Sequence, residues 1–207
     1  EDRAETSEKW DYLRADEVER VVACEKIPAR ERLLFTVLIF QGLRAGEAWA
    51  LRWDDVSIEG DDPAKWRLWV RRSHKGATKA GKPQCIPLLE RARNALLQLR
   101  ALGKKPKPTA LVFPSPTGCQ RQPGTDAGWS TRRVRGKPHV GLRELAGIKR
   151  RVRLHDLRHT CASHLVMGTW GRVWSLDDVR AFMRHSTTRM TERYAHLSPE
   201  HLQGRAA

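Results

Sequence analysis

The chain has 207 residues, 40% of them hydrophobic and 30% charged, a composition typical of a globular protein with a sizeable core. Its longest apolar run, from Leu33 to Phe40, is too short to span a bilayer, and its four cysteines form no CxxC pair. The composition therefore argues against a membrane protein, a disulfide framework and a zinc ribbon. It favours a cytoplasmic protein in a reducing compartment.

The charge is strongly basic and uneven. The 39 Lys and Arg residues exceed the 24 Asp and Glu residues by 15. Residues 121–153 hold ten bases and two acids, which favours a nucleic acid over the alternatives of a solvated face or an acidic protein partner. The bases of this segment are Arg121, Arg132, Arg133, Arg135, Lys137, Arg143, Lys149, Arg150, Arg151 and Arg153.

Hydrophobic periodicity predicts helices in the first fifty residues. The first begins near Ala15, the second covers 29–42 with Leu33, Leu34, Val37 and Leu38 on a buried face, and a short third covers 44–53. The acidic, polar residues 1–10 are typical of a linker from a missing N-terminal portion or of a frayed terminus.

A two-residue period follows, which predicts strands. Trp66, Leu68 and Val70 alternate with Arg67, Trp69 and Arg71, and "QCIPL" at 84–88 is the predicted returning strand. The turn between them is rich in glycine and lysine, so we expect a hairpin with a basic tip that carries Lys75, Lys79 and Lys82. A lysine at such a tip is suited to donating a proton at a phosphate site, but more commonly it is a solvated cation or contacts a backbone phosphate.

Helix is predicted to resume at Leu89, a proline- and glycine-rich loop to cover 103–128, and helix to dominate from Trp129 onward. The predicted fold class is mainly α with a small antiparallel β-sheet.

Two arginines and a histidine stand where they are able to hold a phosphate. Arg44 lies at a predicted helix entrance, where free N–H groups favour an anion, and Glu47 is placed to hold it or to form a surface ion pair. In "RLHDLRHTCASHL", His155 and Arg158 share a helix face, with Leu157, Cys161 and Leu165 opposite. The alternative is a capping histidine beside a solvated arginine.

A metal site is not predicted at the i, i+4 pair His155 and His159. Asp156 stands where the glutamate of H-E-x-x-H would be, and no third ligand is evident.

The stretch "MRHSTTRMTERYAHL" contains Tyr194, one of two tyrosines in the chain. The residues after His185 are good N-cap types, so the helix is predicted to begin after this histidine. His185 and the Tyr194 hydroxyl then face one place, where an activated phenol is able to act as a covalent nucleophile.

Three short motifs resemble the conserved motifs, or boxes, of the tyrosine recombinase (phage integrase) family. They are Arg44 in "GLRAGE", His155 and Arg158 in "HDLRHT", and His185 with Tyr194 in "RHSTTRMTERYAHL". "TKAGKPQCIPL" resembles the family's lysine hairpin and aligns the catalytic lysine with Lys79. Departures are "QGLR" for Thr-Gly-Leu-Arg, Arg184 for the usual glycine, and a longer "TWGRVWSLDD".

The resemblance implies the fold and the domains. It implies the family's catalytic-domain fold at 11–200, a linker from a missing DNA-binding domain at 1–10, and a C-terminal tail at 201–207.

It also implies the chemistry and the partner. Tyr194 would attack a DNA phosphate to give a 3′-phosphotyrosyl enzyme, with no cofactor, metal or ATP. Arg44 and Arg158 would clamp the phosphate, with Glu47 supporting Arg44. Lys79 would protonate the 5′-oxygen, His155 would transfer a proton at the tyrosine, and His185 would bind the phosphate. The partner would be double-stranded DNA at specific recombination sites. A homotetramer would bind it, and the isolated chain would be a monomer.

The expected DNA-binding residues are basic side chains near this site: Lys75, Lys82, Arg132, Arg133, Arg135, Lys149, Arg150, Arg151 and Arg153. The alternatives are a catalytically silent DNA-binding module and a type IB topoisomerase-like relaxing enzyme.

Overall fold

The computed structural model describes residues 10–74, 76–77, 82–122, 124–134 and 137–199, and for residues 77, 132–134, 137 and 138 it describes the backbone alone. The helices are α1 (Ala15–Ala23), α2 (Ala29–Gln41), α3 (Ala45–Ala50), α4 (Glu90–Ala101), α5 (Leu142–Leu145), α6 (Asp156–Met167), α7 (Leu176–Met183) and α8 (Arg189–Glu192). The strands are β1 (Val56–Ser57), β2 (Arg67–Val70), β3 (Arg72–Ser73), β4 (Gly76–Ala77), β5 (Gln84–Pro87), β6 (Arg132–Val134) and β7 (Lys137–His139). The predicted fold class, mainly α with a small antiparallel sheet, is confirmed.

Helix α2 lies at the centre of the helical core. It packs against α1, α4 and α6, and every residue from Leu33 to Gln41 is buried. The sequence predicted one buried face, whereas the structure buries the helix all round, which agrees with its nearly continuous apolar run. Helix α6 is also buried along its length, with Leu157 and Cys161 facing the core as predicted.

The predicted strand pair is confirmed. Strands β1, β2 and β5 form an antiparallel sheet in the order β1-β2-β5, with Leu68 opposite Ile86 and Trp69 opposite Cys85. Leu68 and Ile86 are buried, while Trp69 and Cys85 are exposed on the other face. Lys75 and Lys79 of the predicted hairpin tip lie outside the described residues.

The structure differs from the prediction after Trp129. Instead of helix, strands β6 and β7 form an antiparallel hairpin, with Val134 opposite Lys137. Only two residues separate the paired strands, and the second of them is glycine, which is a common pattern in tight hairpin turns. The basic composition of this stretch gave no sequence signal for these two strands. The predicted loop at 103–128 is confirmed for its described residues, which contain neither helix nor extended strand.

Helices α2 and α7 both end at a residue in the left-handed backbone conformation. Helix α2 ends at Gly42, whose φ is +59°, and a Cβ there would lie 2.7 Å from Met183 Sδ. Helix α7 ends at Arg184, with a φ of +56°. Within the described ranges no helix is both long and apolar enough to cross a membrane.

Candidate active site

Backbone carbonyls at two helix ends hold the two predicted arginines. Arg158 donates from its two terminal nitrogens to the carbonyls of Gly42 and Met183, at the ends of α2 and α7. Arg44 donates to the carbonyl of Arg184 at 3.3 Å. The last carbonyls of a helix lack intrahelical partners and carry partial negative charge, so they are suitable anchors for guanidinium groups. The left-handed ends of α2 and α7 thus fix both arginines.

Glu47 joins the start of α3 to the end of α7 through one buried carboxylate. Its Oε1 accepts from Arg44 at 2.9 Å, and its Oε2 accepts from the Arg184 side chain at 2.7 Å and from the Arg44 backbone N–H at 2.9 Å. The predicted contact between Glu47 and Arg44 is present, but it is not a surface pair, since Glu47 is 6% exposed. The N–H that was expected to attract an external anion is occupied by this carboxylate.

Tyr194 follows the short helix α8 and is 1% exposed. Its hydroxyl lies 2.5 Å from Nδ1 of His159, one turn beyond His155. Trp10 packs face to face on His159, with ring centroids 5.2 Å apart, and edge-on against Tyr194 at the same distance. The nucleophile proposed from the sequence is therefore enclosed by a histidine and an indole.

His155 lies next to His159, and His185 lies next to Tyr194. His155 is the residue just before α6, and its side chain does not cap the helix. The helix that was predicted to carry both His155 and Arg158 therefore begins one residue later, at Asp156. His185 Nδ1 contacts Thr191 Oγ1 at 2.7 Å, and its ring stacks nearly parallel to that of Tyr194 at 6.4 Å. As predicted, a helix begins after His185, although no side chain caps it.

These side chains border one cleft of about 540 Å³. A second cavity, of about 700 Å³, shares Arg44, His155 and His185 with it and extends toward Glu47 and Arg184. The first cleft is lined by Trp10, Arg44, Arg153, His155, Arg158, His159, His185, Met190, Arg193 and Tyr194.

Burial sets the protonation of the tyrosine and its neighbours. Desolvation, followed by the charges of His155 and nearby arginines, lowers the pKa of His159 to about 3. Desolvation and the charges of Arg158 and Arg44 likewise lower the pKa of His185 to about 3. Burial raises the pKa of the Tyr194 phenol above its ordinary value. At neutral pH the cleft therefore presents neutral imidazoles, a protonated phenol and cationic guanidinium groups.

The bases predicted to bind DNA have different surroundings. Lys82, Lys149 and Arg151 are exposed. Arg132 and Arg133 lie in β6, where the backbone alone is described, and Arg135 lies outside the described residues together with Lys75 and Lys79.

Two of the predicted DNA-binding arginines are engaged within the protein. Arg150 donates to the carboxylates of Asp11 and Glu17 and to the Tyr12 carbonyl. Arg153 pairs with Asp156 at 3.1 Å. Sequence spacing reveals none of the three partners of Arg150, because each lies more than 130 positions away.

The sequence did not identify His159 as the partner of Tyr194 or Arg184 as an ion-pair partner of Glu47. It also did not identify Trp10, Met190 and Arg193 as residues that line the cleft. The signal for His159 was its i, i+4 spacing from His155, which was considered only for metal binding. Trp10 falls in the predicted linker, yet it packs into the site.

His155 and His159 have the i, i+4 spacing of a metal-binding pair. The rings of His155 and His159 are nearly perpendicular, at 86°, with centroids 5.3 Å apart. Over the part of the chain that the structure describes, no three His, Cys, Asp or Glu side chains are grouped as metal ligands would be.

The model of the phage integrase family matches residues 11–201. The chain belongs to the phage integrase family. Among curated proteins it is similar to the tyrosine recombinase XerD of Bifidobacterium longum, with 26% identity over 93% of this chain and 60% of that protein. It is also similar to XerC of Xanthomonas campestris, with 29% identity over 92% of this chain and 52% of that protein. The chain thus spans little more than half the length of these relatives.

Solved structures confirm the fold of this phage integrase family member. The crystal structure of XerA recombinase matches with a TM-score of 0.67 and 22% identity, covering 99% of this chain and 65% of that one. The catalytic domain of bacteriophage HP1 integrase matches with a TM-score of 0.58 and 22% identity, covering 96% of this chain and 94% of that one. The predicted tyrosine recombinase catalytic-domain fold is therefore confirmed.

Proposed function

We propose that this chain is the catalytic part of a site-specific DNA recombinase that cleaves and rejoins strands through a 3′-phosphotyrosyl intermediate. The observation that carries the proposal is the position of Tyr194, whose side chain borders the same cleft as Arg44 and Arg158. A phenol beside two anchored guanidinium groups has the components for attack on a phosphodiester.

The proposed reaction conserves the phosphodiester bond energy. The Tyr194 oxygen attacks phosphorus, the bond to the 5′-oxygen breaks, and a 3′-phosphotyrosyl bond and a 5′-hydroxyl result. Attack by a 5′-hydroxyl reverses the step and needs no ATP. Arg44 and Arg158 neutralise the non-bridging oxygens, and Lys79 on the basic hairpin protonates the leaving oxygen.

His155 and His185 line the cleft beside the arginines and serve the phosphate as hydrogen-bond partners. Because the guanidinium groups supply the positive charge that the transition state requires, we expect cleavage to proceed without a divalent cation.

The partner in this proposal is double-stranded DNA. Support comes from relatives named recombinases and integrases, and from structural neighbours such as XerH bound to a difH substrate and the Tn1549 integrase bound to transposon-end DNA. Exchange between two duplexes requires four cleavages, so we propose four protomers on two paired sites. The family match and the relatives' names favour this function over a silent DNA-binding module or a relaxing enzyme of the type IB class.

Covalent trapping tests the proposal. The protein is incubated with nicked duplexes tiled across the DNA that flanks its gene, so that the strand released by cleavage diffuses away and the adduct accumulates. We expect a DNA–protein band that survives denaturation, forms equally with a chelator present, and is digested by protease.

The chain offers a matched control, because Tyr12 is its only other tyrosine. Tyr194→Phe is expected to abolish the adduct and keep DNA binding, whereas Tyr12→Phe, which keeps its ring, retains both. DNA binding without any adduct from the wild-type protein on any duplex would favour the silent binder. An adduct that persists in Tyr194→Phe would place the nucleophile elsewhere.

A further inference from the structure

The hydroxyl of Tyr194 contacts His159, a histidine that was not predicted from the sequence to transfer a proton. Tyr194 and His159 are both buried, and the phenolic oxygen lies 2.5 Å from Nδ1. His155 was expected to serve the tyrosine, but its ring stands edge-on to His159 and lines the cleft beside Arg44 and Arg158.

We propose that His159 is the general base that accepts the phenolic proton of Tyr194 during strand cleavage. This inference rests on the proposed function. A base must lie within hydrogen-bond reach of the proton that it removes, and His159 meets this requirement in the state before DNA binds. Trp10 stacks on the imidazole, with ring centroids 5.2 Å apart.

The electrostatics of the pocket favour this role once DNA is present. Burial first, and then the positive charges of His155, Arg193, Arg158 and Arg153, lower the pKa of His159, so the free imidazole is neutral and has a lone pair available. A bound phosphodiester neutralises part of that positive charge. The basicity of His159 should therefore rise when the substrate arrives.

The proton transfer balances within the cleavage step. As the bond between the Tyr194 oxygen and phosphorus forms, the phenolic proton moves to Nδ1 of His159. The bond from phosphorus to the 5′-oxygen breaks, and that oxygen takes its proton from the acid on the lysine hairpin. In rejoining, the attacking 5′-hydroxyl returns its proton to the acid on the lysine hairpin, and His159 returns its proton to the departing tyrosine oxygen. The enzyme therefore ends as it began.

The variant His159→Asn separates basicity from hydrogen bonding, since the Asn side-chain oxygen is able to accept from the hydroxyl but takes up no proton at neutral pH. On the duplex mapped by trapping, we expect adduct formation to slow about 10²- to 10⁴-fold, the usual range for a lost general base, with DNA binding unchanged. Because hydroxide replaces the missing base at higher pH, the deficit should shrink as pH rises.

A second substrate distinguishes the base from the acid. In a duplex with sulfur in place of the bridging 5′-oxygen at the cleavage site, the leaving group departs without a proton. His159→Asn should remain slow on this duplex. Recovery to the wild-type rate would show that His159 serves the leaving group, and would overturn the proposal.

The ground state is checked on the tyrosine itself. With Tyr12→Phe as background, Tyr194 is the single tyrosine, so a ¹³Cζ-tyrosine label gives one NMR signal. The signal should stay near its wild-type shift in His159→Asn and move in His159→Ala. An Asn variant that cleaves within threefold of wild type, or whose deficit is constant with pH, would reduce His159 to a structural neighbour. A wild-type protein that forms no adduct on any duplex would instead refute the proposed function.

Discussion

Glu47 is the buried carboxylate on which the arginines of the cleft depend. Arg44 and Arg184 both pair with it, and Arg158 contributes a further positive charge nearby. Burial alone would raise the pKa of Glu47, but the three arginines outweigh burial and bring it below the ordinary value of 4.5. Without this carboxylate, three guanidinium groups would face one another without compensation.

We therefore expect Glu47→Gln to lower the free energy of unfolding by about 3 kcal/mol at pH 7, the scale for breaking a buried ion pair. A group with a depressed pKa stabilises the fold above its unfolded pKa and loses that effect as pH falls through the folded pKa. The difference between wild type and variant should thus be constant above about pH 5.5 and shrink below pH 4.5.

Urea denaturation between pH 3 and pH 7 measures this difference. Glu59→Gln is the matched control, because Glu59 also pairs with an arginine, Arg100, but its side chain is 77% exposed. Its effect should be within about 0.5 kcal/mol, as for ordinary surface substitutions. Equal effects of the two substitutions would mean that Glu47 does not stabilise the arginine cluster.

At the scale of elements, the turn from α2 to α3 depends on Gly42. This glycine is left-handed, accepts a hydrogen bond from Arg158 through its carbonyl, and has no room for a side chain beside Met183. A methyl group there would both strain the backbone and press on the end of α7.

We expect Gly42→Ala to destabilise the protein by about 2–4 kcal/mol, of which about 1 kcal/mol comes from the left-handed conformation and the rest from overpacking. Gly60→Ala isolates the first contribution, since Gly60 also has a positive φ, +72°, but nothing lies within 4 Å of a Cβ built there. Thermal or urea unfolding of the two variants measures the difference. If both lose the same stability, the contact with Met183 is unimportant.

Arg150 clamps the chain segment that leads into α1. It binds the side chains of Asp11 and Glu17 and the carbonyl of Tyr12, next to the Trp10 that packs on His159. Loss of this clamp should loosen both the segment and the indole wall of the cleft.

Arg150→Ala is expected to cost about 2–3 kcal/mol, the range for losing charge-assisted hydrogen bonds that leave a buried carboxylate behind. The neighbouring Arg151→Ala should cost less than about 0.5 kcal/mol because Arg151 is exposed. Urea denaturation gives the stabilities, and hydrogen exchange of the amides at 10–17 should quicken in the Arg150 variant alone. Unchanged exchange there would contradict the clamp.

The sequence predicted the elements whose signals are local. The apolar run of α2 and the alternation in β2 are properties of a few neighbouring residues, and the boxes around Arg44 and Arg158 are short motifs. The contacts of Arg150 with Asp11, of Glu47 with Arg184, and of Tyr194 with His159 join distant positions. Such contacts depend on how helices pack, so they become visible only in three dimensions.

At the scale of the whole molecule, net charge and the location of charge are separable. The chain carries a net charge of +15, yet some of its arginines are neutralised by neighbouring carboxylates. Two arginines on α4 are paired: Arg91 with Glu19, and Arg100 with Glu59. By contrast, Lys149 and Arg151 are exposed in the basic segment before α6. If DNA lies along that segment, only the second pair should contact phosphates.

The salt dependence of DNA binding distinguishes these pairs, because each phosphate contact adds about 0.9 to the slope of log affinity against log salt. Replacing Lys149 and Arg151 with alanine should lower the slope by about 1.8, from two lost contacts. Replacing Arg91 and Arg100 lowers the net charge equally, to +13, and should leave the slope nearly unchanged. Fluorescence anisotropy with a labelled duplex at several salt concentrations measures both. Equal reductions would mean that DNA responds to total charge, while a reduction in the α4 variant alone would place the DNA on α4.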